Sequence, residues 1–304
     1  MTTQFEHIPY SVQFRFSSIA ENTQGNSVSV PIPYDVAFHE ICVACSNNIT
    51  TTFYAFSVEL INYNTGEKLM DEPIGNLNIQ ADARTPYKLP SKWFVRKHER
   101  LICNLDMFDN STTTTIYITL NGTVLPADPN PGVAPFLYSL SYNLGFQDNI
   151  NTASGLTALE FNQYVYGTVS KQMLFDYDLY GFTFDAGNIE LGTYLIPNQG
   201  FQLSWGTIKK RKFFDRMIIN ALAGGGTTYG QGKNITTLPA STLSGFPNNQ
   251  VQQAWLPKPE RIPRCELVRA DFSMAPTYVS PTVAHTLWGN VTLVLFGNHV
   301  DANA

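Results

Sequence analysis

Charge is what this chain has least of. Asp, Glu, Lys and Arg make up 14% of its 304 residues, against about 25% in ordinary soluble domains. The solvated face must therefore be built from Asn, Thr, Gly and Tyr. Low charge weakens the repulsion that holds monomers apart, so such a surface suits a chain packed against neighbours. The net charge of −5 supplies no global basic field of the kind that marks nucleic-acid binders. No apolar run approaches the ~20 residues needed to cross a bilayer as a helix. The opening residues, Met1-Thr-Thr-Gln-Phe-Glu-His7, lack the basic and apolar regions of a secretory signal. The expectation is a chain made in a cytosol and kept there until used.

Cysteine is scarce as well, with four in the chain. Cys42-Val-Ala-Cys45 has metal-ligand spacing, but it lies in a stretch that reads as a strand, where residues three apart face opposite sides. The thiols are expected to be reduced and free of metal, as small core hydrophobes. Catalytic motifs are missing too. His7, His39, His98, His285 and His299 stand singly, and neither HExxH nor GxSxG occurs. The glycine run from Gly224 to Lys233 fails as a phosphate loop, because Thr227 and Asn234 stand where Gly and Ser or Thr are required. No catalytic, metal-binding or cofactor-binding residue is assigned, no cofactor is expected, and the chain is read as not an enzyme.

What is present is alternation. Val12, Phe14 and Phe16 share one face of a strand, Gln13 and Arg15 the other. Similar runs cover residues 26–32, 53–63, 101–105 and 115–120, separated by Asn/Gly turns. Short strands at this spacing predict an all-β fold of antiparallel sandwiches or jelly rolls. The chain also repeats itself. Trp93, Cys103 and Leu105 return with one common offset as Trp255, Cys265 and Leu267. Phe56-Ser-Val-Glu-Leu60 is echoed by Phe201-Gln-Leu-Ser-Trp205, and Ile116-Tyr-Ile-Thr-Leu-Asn-Gly122 by Val291-Thr-Leu-Val-Leu-Phe-Gly297. Two tandem antiparallel β-sandwiches follow: residues 1–126, a Pro-rich linker over 127–135, an arm or inserted segment over 136–170 holding a short helix candidate at 156–163, and a second sandwich over 171–304 with a long Gly-rich loop. Trp93, Cys103, Trp255 and Cys265 are expected to be duplicated core anchors.

Two clusters invite chemistry. Lys209-Lys-Arg-Lys212 is the strongest charge run, at a hairpin tip. Its first reading is a solvated turn or an assembly contact, its second a polyanion contact through Lys209, Lys210, Arg211 and Lys212. Asp176 and Asp178 share a strand face and could hold a hard cation or work as acid and base. No third acidic residue is near in sequence, and edge carboxylates commonly serve only to deter aggregation.

The segments Val30-Pro-Ile-Pro-Tyr-Asp, Gly66-Glu-Lys-Leu-Met-Asp-Glu-Pro-Ile74, Leu89-Pro-Ser-Lys-Trp-Phe and Thr115-Ile-Tyr-Ile-Thr-Leu-Asn-Gly122, in that order, resemble structural proteins of bacteriophage virions. The tandem arrangement is similar to double jelly-roll major capsid proteins, and head decoration and neck components are the neighbouring alternative. The resemblance implies a virion location, assembly with itself as a trimer or higher ring or shell, and contact with other virion proteins. Two other classes stay open: a carbohydrate- or receptor-binding fibre module, and a polysaccharide-degrading enzyme on a β scaffold.

Overall fold

The computed structural model describes residues 8–20, 23–45, 54–79, 86–110, 114–124, 133–143, 147–150, 167–185, 201–207, 211–218, 253–274, 285–287 and 290–300. Among them the chain is built from antiparallel strands, with one four-residue helical turn at Asn76–Ile79.

The first eight strands are β1 (Ile8–Ile19), β2 (Asn26–Pro31), β3 (Val36–Cys45), β4 (Tyr54–Asn62), β5 (Ile74–Gly75), β6 (Tyr87–Val95), β7 (Arg100–Asn110) and β8 (Thr114–Val124). They pair as β1-β8-β3-β6 and β2-β7-β4-β5. Eight strands in that order form the jelly roll, a two-sheet fold that returns its last strand beside its first. Alternation in the sequence is what closes the sandwich. Val12, Phe14 and Phe16 of β1 are buried while Gln13 and Arg15 are exposed, and Leu101, Cys103 and Leu105 of β7 meet them in one core with Phe38, Val58 and Ile118. Trp93 is the largest side chain there, fully buried, with its indole N–H donating to Glu67 Oε1 at 3.1 Å.

The remaining strands are β9 (Val133–Asn143), β10 (Gln147–Ile150), β11 (Gly167–Gln172), β12 (Asp176–Asp185), β13 (Phe201–Thr207), β14 (Arg211–Ile218), β15 (Ala254–Ile262), β16 (Leu267–Met274), β17 (His285–Leu287) and β18 (Asn290–Val300). Apart from the β10-β17 ribbon they pair as β9-β18-β12-β15 and β11-β16-β13-β14. Counting the eight sheet strands in chain order, this is the same order as in the first half. Phe182 of β12 and Trp205 of β13 meet edge to face across the two sheets, centroids 5.3 Å apart.

Ladder positions match residue by residue. Phe56 pairs with Met107, and Phe201 with Met274. The third strand of each half is bulged at one place, between Phe38 and Glu40 and between Leu179 and Gly181. The hairpin before the seventh strand turns on His98 in one half and Cys265 in the other, both at positive φ. His98 N–H donates to Ile32 O at 2.7 Å and Cys265 N–H to Met173 O at 2.8 Å. A non-glycine residue in this region costs about 1–3 kcal/mol unless the surroundings impose it, and here the neighbouring corner does.

Three expectations are corrected. The linker over 127–135 ends early and the segment from 136 opens no arm: residues 133–143 are β9, paired along its length with β18. Pro135 is tolerated because β9 is an edge strand, where a missing N–H costs no ladder bond. The second set of sheets therefore begins before residue 171. Trp255 is not a core anchor; it is 45% exposed, pairing with Gly181 while Trp93 pairs with Phe38. By ladder position Trp93 corresponds to Glu260, which pairs with Leu179. Cys265 is exposed in the turn, and the match for buried Cys103 is Ala270, which lies opposite Trp205 as Cys103 lies opposite Leu60. The helix candidate at 156–163 and the glycine-rich loop up to Gln252 lie outside the described residues.

Candidate assembly surfaces

The most specific arrangement of polar groups lies on the seam between the two sets of sheets. After β4 the chain runs along the end of that strand, Ile61 bridging Lys68 and Leu69 N–H donating to Leu60 O at 3.0 Å. It then pairs in parallel with β9, Met70 opposite Leu137. Leu137 N–H donates to Leu69 O at 2.8 Å and Asp71 N–H to Leu137 O at 3.1 Å. An edge strand offers a row of unpaired backbone groups that must be covered or blunted. Here residues 69–71, between β4 and β5 of the first set of sheets, cover the edge of β9 in the second.

Side chains lock this joint. Asp71 Oδ1 accepts Ser139 N–H at 2.9 Å. Lys171 Nζ pairs with Asp71 and with Glu72, the latter at 2.6 Å, donates to Ser139 O at 3.3 Å, and lies 5.0 Å from the Tyr138 ring centre. Burial alone would lower the pKa of the Lys171 ammonium; the hydrogen bonds it donates to Asp71 and Glu72, with their charges, outweigh burial and raise it. Burial raises the Tyr138 phenol, helped by the Asp71 and Glu72 charges. Behind the joint, Leu137, Val294 and Phe296 belong to the same apolar cluster as the first half's core. Phe296 meets Tyr87 and Trp255 edge to face, at 6.3 and 4.6 Å. Gln253 clasps the backbone of Lys88, accepting its N–H at 3.0 Å and donating to its carbonyl at 2.7 Å.

Away from the seam, both halves present exposed apolar residues at the corner where the second strand ends. Tyr34 and Tyr63 stand out in the first, Leu174 and Leu267 in the second. The corners differ inside. Glu99 Oε2 accepts Asn62 Nδ2 and Arg96 N–H, both at 2.8 Å. The ladder-matched Glu266 and Thr207 each keep a buried oxygen with no hydrogen-bond partner among the described residues.

Lys209 and Lys210 lie outside the described residues, and Arg211 and Lys212 open β14 opposite Thr207 and Gly206. Asp176 and Asp178 do share one strand face, but they are answered by a cation. Arg261 spans Asp178 with bonds of 2.5 and 3.0 Å and reaches Asp176 at 3.8 Å, while Arg264 N–H donates to Asp176 at 2.8 Å. Both carboxylates are thus held in one ion-pair cluster with Arg261. Among the described residues no three His, Cys, Asp or Glu side chains group as a metal site, and no helix is long and apolar enough to cross a membrane. Cys42 and Cys45 lie in β3, opposite Thr119 and Ile116. Residues 69–71 carry no motif that marks a seam; the adjacent acids Asp71 and Glu72 are the one sequence signal of a basic partner there.

No family model matches the sequence, and no curated protein matches it. Solved structures do align along nearly the whole chain. One of Sulfolobus Turreted Icosahedral Virus is 10% identical, covering 97% of this chain and 92% of that one, with a TM-score of 0.47. The major capsid protein P2 of bacteriophage PM2 is 9% identical over 96% and 98%, at 0.40. PNGase F of Flavobacterium meningosepticum, a glycosylasparaginase, is 11% identical over 95% and 96%, at 0.37. All three scores lie below 0.5, so the functional reading stands on the strand order and the seam.

Proposed function

We propose that the chain is a virion structural protein, a shell subunit of double jelly-roll type in a bacteriophage particle, working by self-assembly with itself and other virion proteins. One observation carries this reading: two sets of sheets with one strand order are joined edge to edge by a directional seam. A head-to-tail contact of that kind can repeat between copies, closing into a ring or running on as a filament. A trimer would give a ring of six jelly rolls. The low charge of the surface and the exposed Tyr34, Tyr63, Leu174 and Leu267 fit a chain buried among neighbours.

The two halves are read as tandem domains, descendants of one duplicated jelly roll. Phe56 with Phe201, Gly122 with Gly297 and His98 with Cys265 support the duplication, each pair holding one ladder or turn position. A decoration or neck role would use the same fold at lower copy number. The basic hairpin Lys209 to Lys212 is read as an assembly contact ahead of a nucleic-acid contact. Trp255, exposed over Phe296, is the observation that favours a glycan-binding module, since an open indole face stacks on sugars.

Native mass spectrometry and negative-stain imaging of the purified chain test the proposal. Closed rings or shells of fixed stoichiometry are expected. A chain monomeric at every concentration, or one that hydrolyses a glycan, overturns it.

A further inference from the structure

Both halves make the same turn before their seventh strand, but the glutamate of that turn is satisfied in only one of them. Glu99 N–H donates to Arg96 O at 3.1 Å and Glu266 N–H to Pro263 O at 3.2 Å, so the two acids hold one place in one turn. Asn62 pairs with Leu101 and Thr207 with Val268, each two residues beyond its acid, which makes Thr207 the counterpart of Asn62. In the first half two N–H groups converge on Glu99 Oε2, from the Asn62 amide and from the Arg96 backbone, both at 2.8 Å.

The second half has lost both donors. Pro263 stands in the place of Arg96, and a proline has no N–H to give. Thr207 is shorter than Asn62 and carries a hydroxyl in place of the amide. Glu266 is nevertheless only 5% exposed, and neither its Oε1 nor the buried Thr207 hydroxyl has a partner among the described residues. A carboxylate withdrawn from water is stable only when a donor or a cation replaces its hydration. The sequence brings cations to this corner: Thr207 and Arg211 pair across the connection Ile208-Lys209-Lys210. Continued by two steps, the register in which Thr207 faces Val268 puts position 209 opposite position 266. An ammonium carries three donors, enough to serve the Glu266 oxygen and the Thr207 hydroxyl together.

We propose that Glu266 and Thr207 form a receiving site for a lysine ammonium, which replaces the two donors that Asn62 and Arg96 give to Glu99. Two sources can supply it, the Lys209–Lys210 connection of the same chain or a lysine of a second copy. In the first case one member of the basic run is spent inside the fold and is lost to any polyanion; in the second the corner is a contact between copies. The site is argued from the duplicated turn and holds whether or not the chain builds a shell.

Amine acetylation of the full chain, read residue by residue by tandem mass spectrometry, tests the site in dilute monomer and in concentrated assembly. One lysine should be protected at least about fivefold, since its ion pair must open before the amine reacts, and should be released in Glu266→Gln. Protection in the monomer identifies Lys209 or Lys210 of the same chain as the occupant, and protection that appears only on assembly identifies a second copy. In the state that shows protection, Glu266→Gln should lower the folding equilibrium constant about tenfold, the scale of a hydrogen bond to a charged group. Replacing the protected lysine by methionine should cost as much, and adding Thr207→Asn, which copies Asn62, should recover the loss by returning an amide donor to Glu266. If Glu266→Gln releases no lysine in either state, or leaves the equilibrium constant unchanged or higher, the proposal is overturned, because a buried carboxylate that lacks a cation is relieved by neutralisation. A Thr207→Asn substitution that recovers nothing also counts against it.

Discussion

Gly122 and Gly297 occupy the same position in the two halves of the chain, each on the last strand opposite the bulge of the third, Gly122 facing Phe38 and Gly297 facing Leu179. A β-bulge kinks its strand toward the neighbour and raises the local twist. A Cβ on Gly122 would come within 2.5 Å of Ala37 O, and one on Gly297 within 2.3 Å of Asp178 O. The nearest obstacle at each is a backbone oxygen, which cannot turn aside as a side chain can, and at Gly297 the buried Tyr177 ring crowds the site as well. Gly122→Ala and Gly297→Ala should therefore each cost about 1–3 kcal/mol or more, as overpacking does. Chemical denaturation of the two variants checks this, and a cost near zero at either site would mean that the bulge is not held as described.

Lys171 holds the seam between the halves. In Lys171→Met the Asp71 carboxylate keeps its place against β9 but loses its cation. Removing one partner of a fully buried pair costs about 3–5 kcal/mol. Lys171 keeps partial access to water, so a loss of roughly 1–3 kcal/mol is expected after allowing for screening. Adding Asp71→Asn to Lys171→Met should recover part of that loss, and a double-mutant cycle measures the coupling.

Alkali should unfold the chain from one direction. Burial raises the phenols of Tyr87, Tyr138 and Tyr177 above their ordinary 10.0, and the seam raises Lys171 above its ordinary 10.5. Each group holds its proton more tightly folded than unfolded. Their contribution is thus fully present below about pH 10 and is lost as pH rises from there toward the folded values. Melting temperature should be nearly flat from pH 8 to about 9, where burial of the Cys103 thiol, raised above its ordinary 9.0, begins to count, and then fall, less steeply in Tyr87→Phe and Tyr177→Phe. A fall as steep in those two variants would place the tyrosines in water.

Trp93 and Trp255 should answer substitution differently despite their similar sequence surroundings. Trp93→Ala empties a fully buried site and should cost about 3–5 kcal/mol. Trp255 leaves nearly half its surface in solvent and keeps mainly its contact with Phe296, so Trp255→Ala should cost about 1 kcal/mol, near the scale of a single aromatic pair. Equal losses would contradict the ladder register.

That pair also shows what was legible in the sequence. Period-two alternation marks β1, β2, β4, β7 and β8 because each turns one apolar face toward the core. The echoes at Phe56 and Phe201 and at Gly122 and Gly297 coincide with matched ladder positions, since there the partner strand and the bulge constrain residue type. The Trp, Cys and Leu echo is displaced along the same hairpin: four residues turn between β6 and β7 and between β15 and β16, and counting from the positive-φ residues aligns His98 with Cys265. Identical letters misled there, while the backbone constraint that pairs a histidine with a cysteine leaves no common letter. The prolines near Pro135 read as a linker because edge position is invisible before pairing is known. The seam was hidden for a related reason, as parallel pairing of residues 69–71 with β9 joins segments far apart in sequence.

The central claim is that the chain builds a shell, and the count of copies per particle tests it most directly. Quantitative mass spectrometry of purified virions, referenced to a labelled standard of this chain, should find hundreds of copies in each particle, the number a shell lattice requires. About a dozen copies, or none, would contradict it.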